Sequence, residues 1–191
     1  MTSVTTPSQT VGPFFHDALD RLGWADLTAA GASGDKIRVE GRVLDGDRAP
    51  VSDAFLEIWQ ANAAGRYAHP EDDQDKPLDP RFRGFGRVFT DADGRYGFAT
   101  IRPGRVAGNG NTLQAPHINV AIFARGLLKQ LTTRIYFADQ HAANETDPVL
   151  NAIEDAAIRR TLLAAPLTGA IPTYSFDIIL QGEGETAFFE I

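Results

Sequence analysis

From residue 37 onward the chain is a series of short apolar runs cut by Gly, Pro, Asn and Asp. Alternate side chains of a strand share a face, so IRVEGRVL sets Ile37, Val39 and Val43 together. AFLEIWQ is mostly apolar, as expected of a strand covered on both sides. GRVFT, the turn DADG and RYGFATI predict a hairpin. TYSFDIILQG predicts a late strand, and ETAFFEI a further one. The most informative stretch is Gln114 to Phe137, where two strand-like runs flank a Gly-containing turn. In the first, His117 and Asn119 point one way and Ile118, Val120 and Ile122 the other. In the second, Thr132, Arg134 and Tyr136 lie opposite Leu131, Thr133, Ile135 and Phe137.

Helical spacing is rarer. Phe15, Leu19 and Leu22 predict a short helix, with Gly23 as its stop. DPVLNAIEDAAIRRTLLAAP predicts one longer helix. Asp147 would be its N-cap, Pro148 would fit its first turn, and Pro166 would end it. Residues 1–10 form a Ser/Thr-rich arm, and 102–116 a long Gly/Asn loop of the kind that is more often functional than idle. No internal repeat and no linker divides the chain. The expectation is a single domain over 1–191 with an N-terminal arm to about residue 36. Many short strands with Gly/Pro turns predict an all-β, antiparallel β-sandwich with short helical insertions.

Composition narrows the chemistry. With 191 residues the chain can bury a real core. A net charge of −7 argues against general nucleic-acid binding, and an anionic substrate would need a local cation. The absence of cysteine removes disulfides, thiolate metal sites and cysteine nucleophiles. There is no charged-then-apolar leader and no apolar run of membrane-spanning length. A cytoplasmic protein without membrane contact is expected.

The four histidines, His16, His69, His117 and His141, are scattered. His117 and Asn119 stand at i, i+2 on one strand face, a spacing that can bring two side chains to one metal ion, but an amide is a poor ligand for most transition metals. Tyr67 leaves a strand for a long loop, either as a packing aromatic or as a functional phenol. Arg134 is either paired with an internal carboxylate or reserved for a ligand anion, which its rigid fork suits. No Ser-His-Asp order, phosphate-binding Gly loop or HExxH stands out.

The ordered set LEIWQANAAGRY, LDPRFRGFGRVFTDADGRYGFATIRPG, APHIN and LTTRIYF resembles the intradiol ring-cleaving dioxygenases, from about Thr6 to Ile191. The resemblance implies a β-sandwich enzyme whose ferric ion is held by two tyrosinates and two histidines. At those positions this chain has Tyr67, Val106, His117 and Asn119. Where the family has an arginine that stabilises the substrate, it has Gln114. Three of five functional positions are therefore changed. Replacing a phenolate by an isopropyl group removes an anionic ligand, and an amide replaces an imidazole. So the metal is not expected here, and no catalytic residue is expected in this chain alone.

The resemblance implies the non-iron member of a paired assembly, in which a homologous beta chain binds Fe(III). The substrates implied are protocatechuate and dioxygen, and the assembly a higher-order alpha–beta oligomer. Arg134, Thr10, Gly12 and Pro13 are the implied substrate-binding residues. Two alternatives stay open: a homomeric metalloenzyme that drafts His69 or a loop carboxylate, and a non-catalytic scaffold or binding module derived from a dioxygenase.

Overall fold

The computed structural model describes residues 10–12, 14–20 and 23–190. The arm up to residue 9, Pro13 and Leu22 lie outside the described residues. Alternation makes the strands that frame the molecule: β1 (Lys36–Leu44), β2 (Phe55–Trp59), β3 (Phe85–Phe89), β4 (Arg95–Ile101), β7 (His117–Phe123) and β8 (Leu131–Phe137). Within the Gly/Asn loop, β5 (Val106–Ala107) and β6 (Leu113–Gln114) form a two-residue ladder.

Nine strands form one continuous sheet. Its path runs β3-β2-β7-β8, then β9 (Leu163–Leu167), β10 (Thr173–Ser175) and β1, with β4 and β11 (Ile178–Ile179) also on β1. The expectation of an antiparallel sandwich is corrected here. The sheet is mixed and barrel-like, because β10 and β11 run parallel to β1, and β9 parallel to β8. One core explains the curvature: Val39, Val43, Leu56, Ile58, Val88, Phe98, Ile118, Val120, Ile122, Ile135 and Phe137 all belong to a single buried cluster. A flat sheet could not gather these side chains from both of its ends.

The predicted hairpin of β3 and β4 does not form. The turn is present, with Gly94 N–H donating to Asp91 O, but β3 pairs with β2 and β4 with β1. Val88 and Phe98 meet in the core instead, so the turn links the two halves of the sheet. Burying two apolar faces against each other outweighed local pairing.

The predicted long helix over 147–166 is also absent. It resolves into a 3-10 turn (Leu150–Ala152), a short helix α3 (Ala156–Arg160) and strand β9; α1 (Phe14–Leu19) and α2 (His141–Asn144) are the other helices. Two carboxylates start two separate turns. Asp147 accepts N–H bonds from Val149 and Leu150, and Asp155 accepts one from Ala157 at 2.7 Å. Leu162 and Ala164 are then drawn into the interior, and Pro166 sits in an exposed strand rather than ending a helix. TYSFDIILQG is likewise broken, into β10 and β11. At the break, a Cβ on Gly41 would stand 1.9 Å from the Phe176 carbonyl oxygen, so only glycine admits the approach. Among its described residues ETAFFEI contributes a single bridge, Phe189 to Thr132. Among the described residues no helix is long and apolar enough to cross a membrane.

Candidate functional site

The strand faces fall as the alternation predicts. Ile118, Val120 and Ile122 enter the core, and His117 and Asn119 face the other way, beside Arg134 on β8. A cavity of about 660 Å³ opens on that side. Trp59, Tyr67, Val106, Gln114, His117 and Arg134 line it, and His69, Glu71, Asp72, Asp73, Gln74 and Ala107 complete its rim. The ladder of β5 and β6 forms one wall without closing the cavity.

Local backbone fixes Tyr67. Gly65 has φ +81°, a conformation that strains any L side chain, and a Cβ there would lie 1.9 Å from Arg105 O. Lys76 Nζ donates to both Gly65 O and Arg105 O, at 3.2 and 2.8 Å. The Tyr67 N–H donates to Asp72 Oδ2 at 2.7 Å. Trp59 stacks on the Tyr67 ring with centroids 5.6 Å apart.

The polar groups then satisfy one another. His117 Nδ1 lies 2.8 Å from Ala115 O, which fixes the tautomer with hydrogen on Nδ1 and leaves Nε2 as an acceptor. The Tyr67 hydroxyl lies 3.4 Å from that Nε2. Asn119 Nδ2 donates to the same hydroxyl oxygen at 3.2 Å. Asn119, Tyr67, His117 and the Ala115 carbonyl are thus a closed relay of donors and acceptors. Burial, reinforced by the Arg134 guanidinium, pushes the His117 imidazole down to about 4. Burial also pushes the Tyr67 phenol up, against the Asn119 hydrogen bond and the charge of Arg134. Imidazole and phenol are both held neutral.

Behind the relay lies Asp147, fully buried. It accepts from Ala115 N at 2.6 Å, Leu150 N at 2.7 Å, Val149 N at 2.8 Å and the Tyr136 hydroxyl at 3.3 Å. It therefore anchors Ala115, the residue whose carbonyl orients His117. The sequence marks Asp147 only as the start of a turn; its contact with Ala115, 32 positions away, has no local signature. Trp59 is the other residue that pattern alone missed, and its register opposite Asn119 in the β2–β7 ladder is what brings it to the cavity.

Arg134 has neutral partners. Among the described residues it has no carboxylate within salt-bridge distance: its Nη1 donates to Gln114 Oε1 at 2.7 Å and to the Tyr136 hydroxyl at 3.3 Å. Gln114 is itself held by donating from Nε2 to Ala107 O at 3.0 Å. Thr10 and Gly12 are elsewhere. Thr10 Oγ1 accepts from Gly126 N at 3.0 Å, in the turn beyond the end of β7 that is remote from His117. The structure does not bring them to the cavity that Arg134 lines, and Pro13 lies outside the described residues.

This sequence and geometry have relatives. The dioxygenase family model matches residues 12–182. The chain is 41% identical to the protocatechuate 3,4-dioxygenase alpha chain of Pseudomonas putida, over 97% of this chain and 96% of that one. It is 37% identical to the protocatechuate 3,4-dioxygenase beta chain of Burkholderia cepacia, over 94% of this chain and 77% of that one. The chain belongs to this dioxygenase family. Among solved structures, the dioxygenase domain of a carbohydrate-binding fusion protein from Streptomyces sp. SirexAA-E matches with a TM-score of 0.61 and 30% identity. That match covers 95% of this chain and 99% of that one.

The ferric ion that the intradiol dioxygenases imply does not fit the residues present. Tyr67 and His117 are the two donors left. Both are neutral and bonded to each other, and Val106 presents only carbon. Ferric iron favours anionic oxygen donors, and of the four ligand positions only Tyr67 offers a phenol. His69 and the loop carboxylates share the rim. His69 Nδ1 accepts from Glu71 N at 3.3 Å. Asp72 is held below the usual carboxylate range, against its partial burial, by the N–H groups of Tyr67 and Gln74. No group of three His, Cys, Asp or Glu placed to hold a metal exists among the described residues.

Proposed function

We propose that this chain is the metal-free alpha subunit of a heteromeric protocatechuate 3,4-dioxygenase. The observation that carries the reading is the closed relay of Asn119, Tyr67 and His117, which occupies the former ligand positions with mutually satisfied neutral groups. Iron, Fe(III), belongs in this reading to a homologous beta chain. That partner supplies the metal chemistry for the cleavage of protocatechuate by dioxygen to 3-carboxy-cis,cis-muconate, with both oxygen atoms retained in the product. This chain contributes binding and orientation. Arg134, held by neutral partners at a cavity, takes the substrate carboxylate. Thr10 and Gly12, set away from this chain's own cavity, and Pro13 wall the partner's substrate pocket. A higher-order alpha–beta assembly within the cytoplasm completes the reading.

The test is iron per chain after expression alone and after co-expression with an iron-bearing homologue. Negligible iron in the lone chain, with protocatechuate cleavage only when both chains are present, is the expected result. Stoichiometric iron in the lone chain, with tyrosinate charge-transfer colour, would overturn it. The scaffold alternative predicts that the beta homologue is equally active without this chain.

A further inference from the structure

The tip of the β5–β6 ladder carries a chemistry that the cavity does not use. Val106 pairs with Gln114 and Ala107 with Leu113, and Gly108 N–H donates to Thr112 O at 2.9 Å to close the turn. Between them stand Asn109, Gly110 and Asn111, all exposed. The side-chain carbon of an asparagine is open to attack by the backbone nitrogen of the next residue, which closes a succinimide ring. Three conditions favour that attack: an amide free to turn, a nitrogen whose hydrogen is unspent, and no Cβ crowding that nitrogen.

Asn109 meets all three. Among the described residues no hydrogen bond holds its side chain; its backbone carbonyl alone is used, accepting from Thr112 N at 3.4 Å and from Thr112 Oγ1 at 2.8 Å. Gly110 N–H has no acceptor among the described residues. Gly110 adopts φ +61°, and no atom stands within 4 Å of where a Cβ would lie, so the ring has room to form. Each of the other asparagines fails a condition. Asn111 precedes the β-branched Thr112, whose N–H is spent on Asn109 O. The Asn62 amide is bonded at both ends, to Ala64 N, Arg66 N and Pro77 O. Asn119 is held by the Tyr67 hydroxyl and precedes Val120 in a strand. Asn144 donates to Phe137 O, and the Glu145 N–H that follows it is spent on His141 O. Asn151 donates to the carbonyls of Asn144, Glu145 and Asp147.

We propose that Asn109 is a self-modification site, at which the side chain closes on the Gly110 nitrogen in the folded protein. The N–Cγ bond forms as the Cγ–Nδ2 bond breaks, and ammonia leaves with the proton of that nitrogen. The succinimide then takes up one water. Opening at Cγ leaves aspartate. Opening at the α-carbonyl leaves isoaspartate, whose main chain runs through the side-chain carbon. No oxidant, reductant or cofactor enters the balance. Either product adds one negative charge to the formal −7 of the chain. Isoaspartate also adds a methylene to the turn that joins Ala107 to Leu113, so the wall of the cavity beside Gln114 changes as the protein ages.

Incubation of the full-length folded chain in heavy-oxygen water at mildly alkaline pH, followed by trypsin and tandem mass spectrometry, tests this. The peptide 106–125 should acquire a carboxyl group at residue 109 with one heavy oxygen, in two isomers, and protein isoaspartyl methyltransferase should methylate one of them. Asn111 and Asn119 lie in the same peptide and should keep their amides. Gly110→Ala should slow the conversion roughly tenfold or more, because a Cβ crowds the attacking nitrogen. Asn109→Gln, which changes only an exposed side chain, should abolish the heavy-oxygen label at 109 with an unchanged circular dichroism spectrum. An amide still intact at 109 when a urea-unfolded sample of the same chain has converted overturns the inference. So does conversion of Asn111 as fast as Asn109, or the parent rate in Gly110→Ala. The iron assay decides the subunit reading independently of all these outcomes.

Discussion

His117 makes a stability switch whose size follows from its burial. In the unfolded chain an imidazole titrates near 6.5, and in the folded chain burial and Arg134 push His117 down to about 4. Above pH 6.5 both states are neutral and stability is at its full value. Between 6.5 and about 4 the unfolded state binds the proton and the folded state does not, so stability falls as pH falls. Below about 4 both states are protonated and the loss is complete. At 1.36 kcal/mol for each pH unit of that gap, the loss is about 3 kcal/mol. Urea unfolding followed by circular dichroism, at steps from pH 7 to 4.5, measures it. His117→Asn removes the titration while keeping a donor for Ala115 O, and should be nearly flat over the same range. Carboxyl groups held low by hydrogen bonds, such as Asp72 and Asp139, lose their contribution only further down, below the ordinary carboxylate range. Equal slopes for the parent and His117→Asn would refute the argument.

Other perturbations read different parts of the molecule. Asp147→Ala strands the buried N–H groups of Ala115 and Leu150 and frees that of half-buried Val149; at roughly 1–3 kcal/mol for each of the two buried groups, urea unfolding should show a loss of about 2–6 kcal/mol. Gly41→Ala sets a methyl against the Phe176 carbonyl and should lower stability by about 3 kcal/mol. Gly46→Ala meets nothing nearer than 3.5 Å and should stay within about 0.5 kcal/mol by the same measurement. Arg134→Ala in the two-chain complex should raise KM for protocatechuate by ten- to a hundredfold, about 1.5–3 kcal/mol for a charge-assisted bond, and leave catechol, which lacks the carboxylate, nearly unchanged. Equal losses for both substrates would remove the carboxylate role.

Period-2 patterning carried the site because strand faces are local. Once His117 and Asn119 are known to share a face, the opposite register follows from burial of Ile118 and Val120. Topology was less legible. The same alternation in GRVFT and RYGFATI fits a hairpin or a link between sheet halves, and only the core partner of Val88 decides. The long helix failed for a similar reason. Asp147 and Asp155 each fix a separate turn by side-chain bonds to nearby N–H groups, and burial of Leu162 and Ala164 draws the end into the sheet. The loss of the iron ligands was visible at single positions through the resemblance. What replaces them was not, since the relay joins residues 67, 115, 117 and 119 across two loop segments and one strand.

That relay explains the substitutions physically. A cavity built around a highly charged ion leaves its ligands facing one another when the ion goes, and buried polar groups without partners cost about 1–3 kcal/mol each. Asn119 answers this for Tyr67, because an amide donates to a phenol oxygen and a neutral imidazole already fixed with hydrogen on Nδ1 could not. Val106 answers it by bringing no polar atom at all. His117 is satisfied on both nitrogens, by Ala115 O and by the Tyr67 hydroxyl. The fold at this site consequently requires no metal for its stability. Arg134 is the exception, a cation at a cavity with neutral partners and an edge of N–H groups unspent among the described residues. In the proposed function the substrate carboxylate meets that edge.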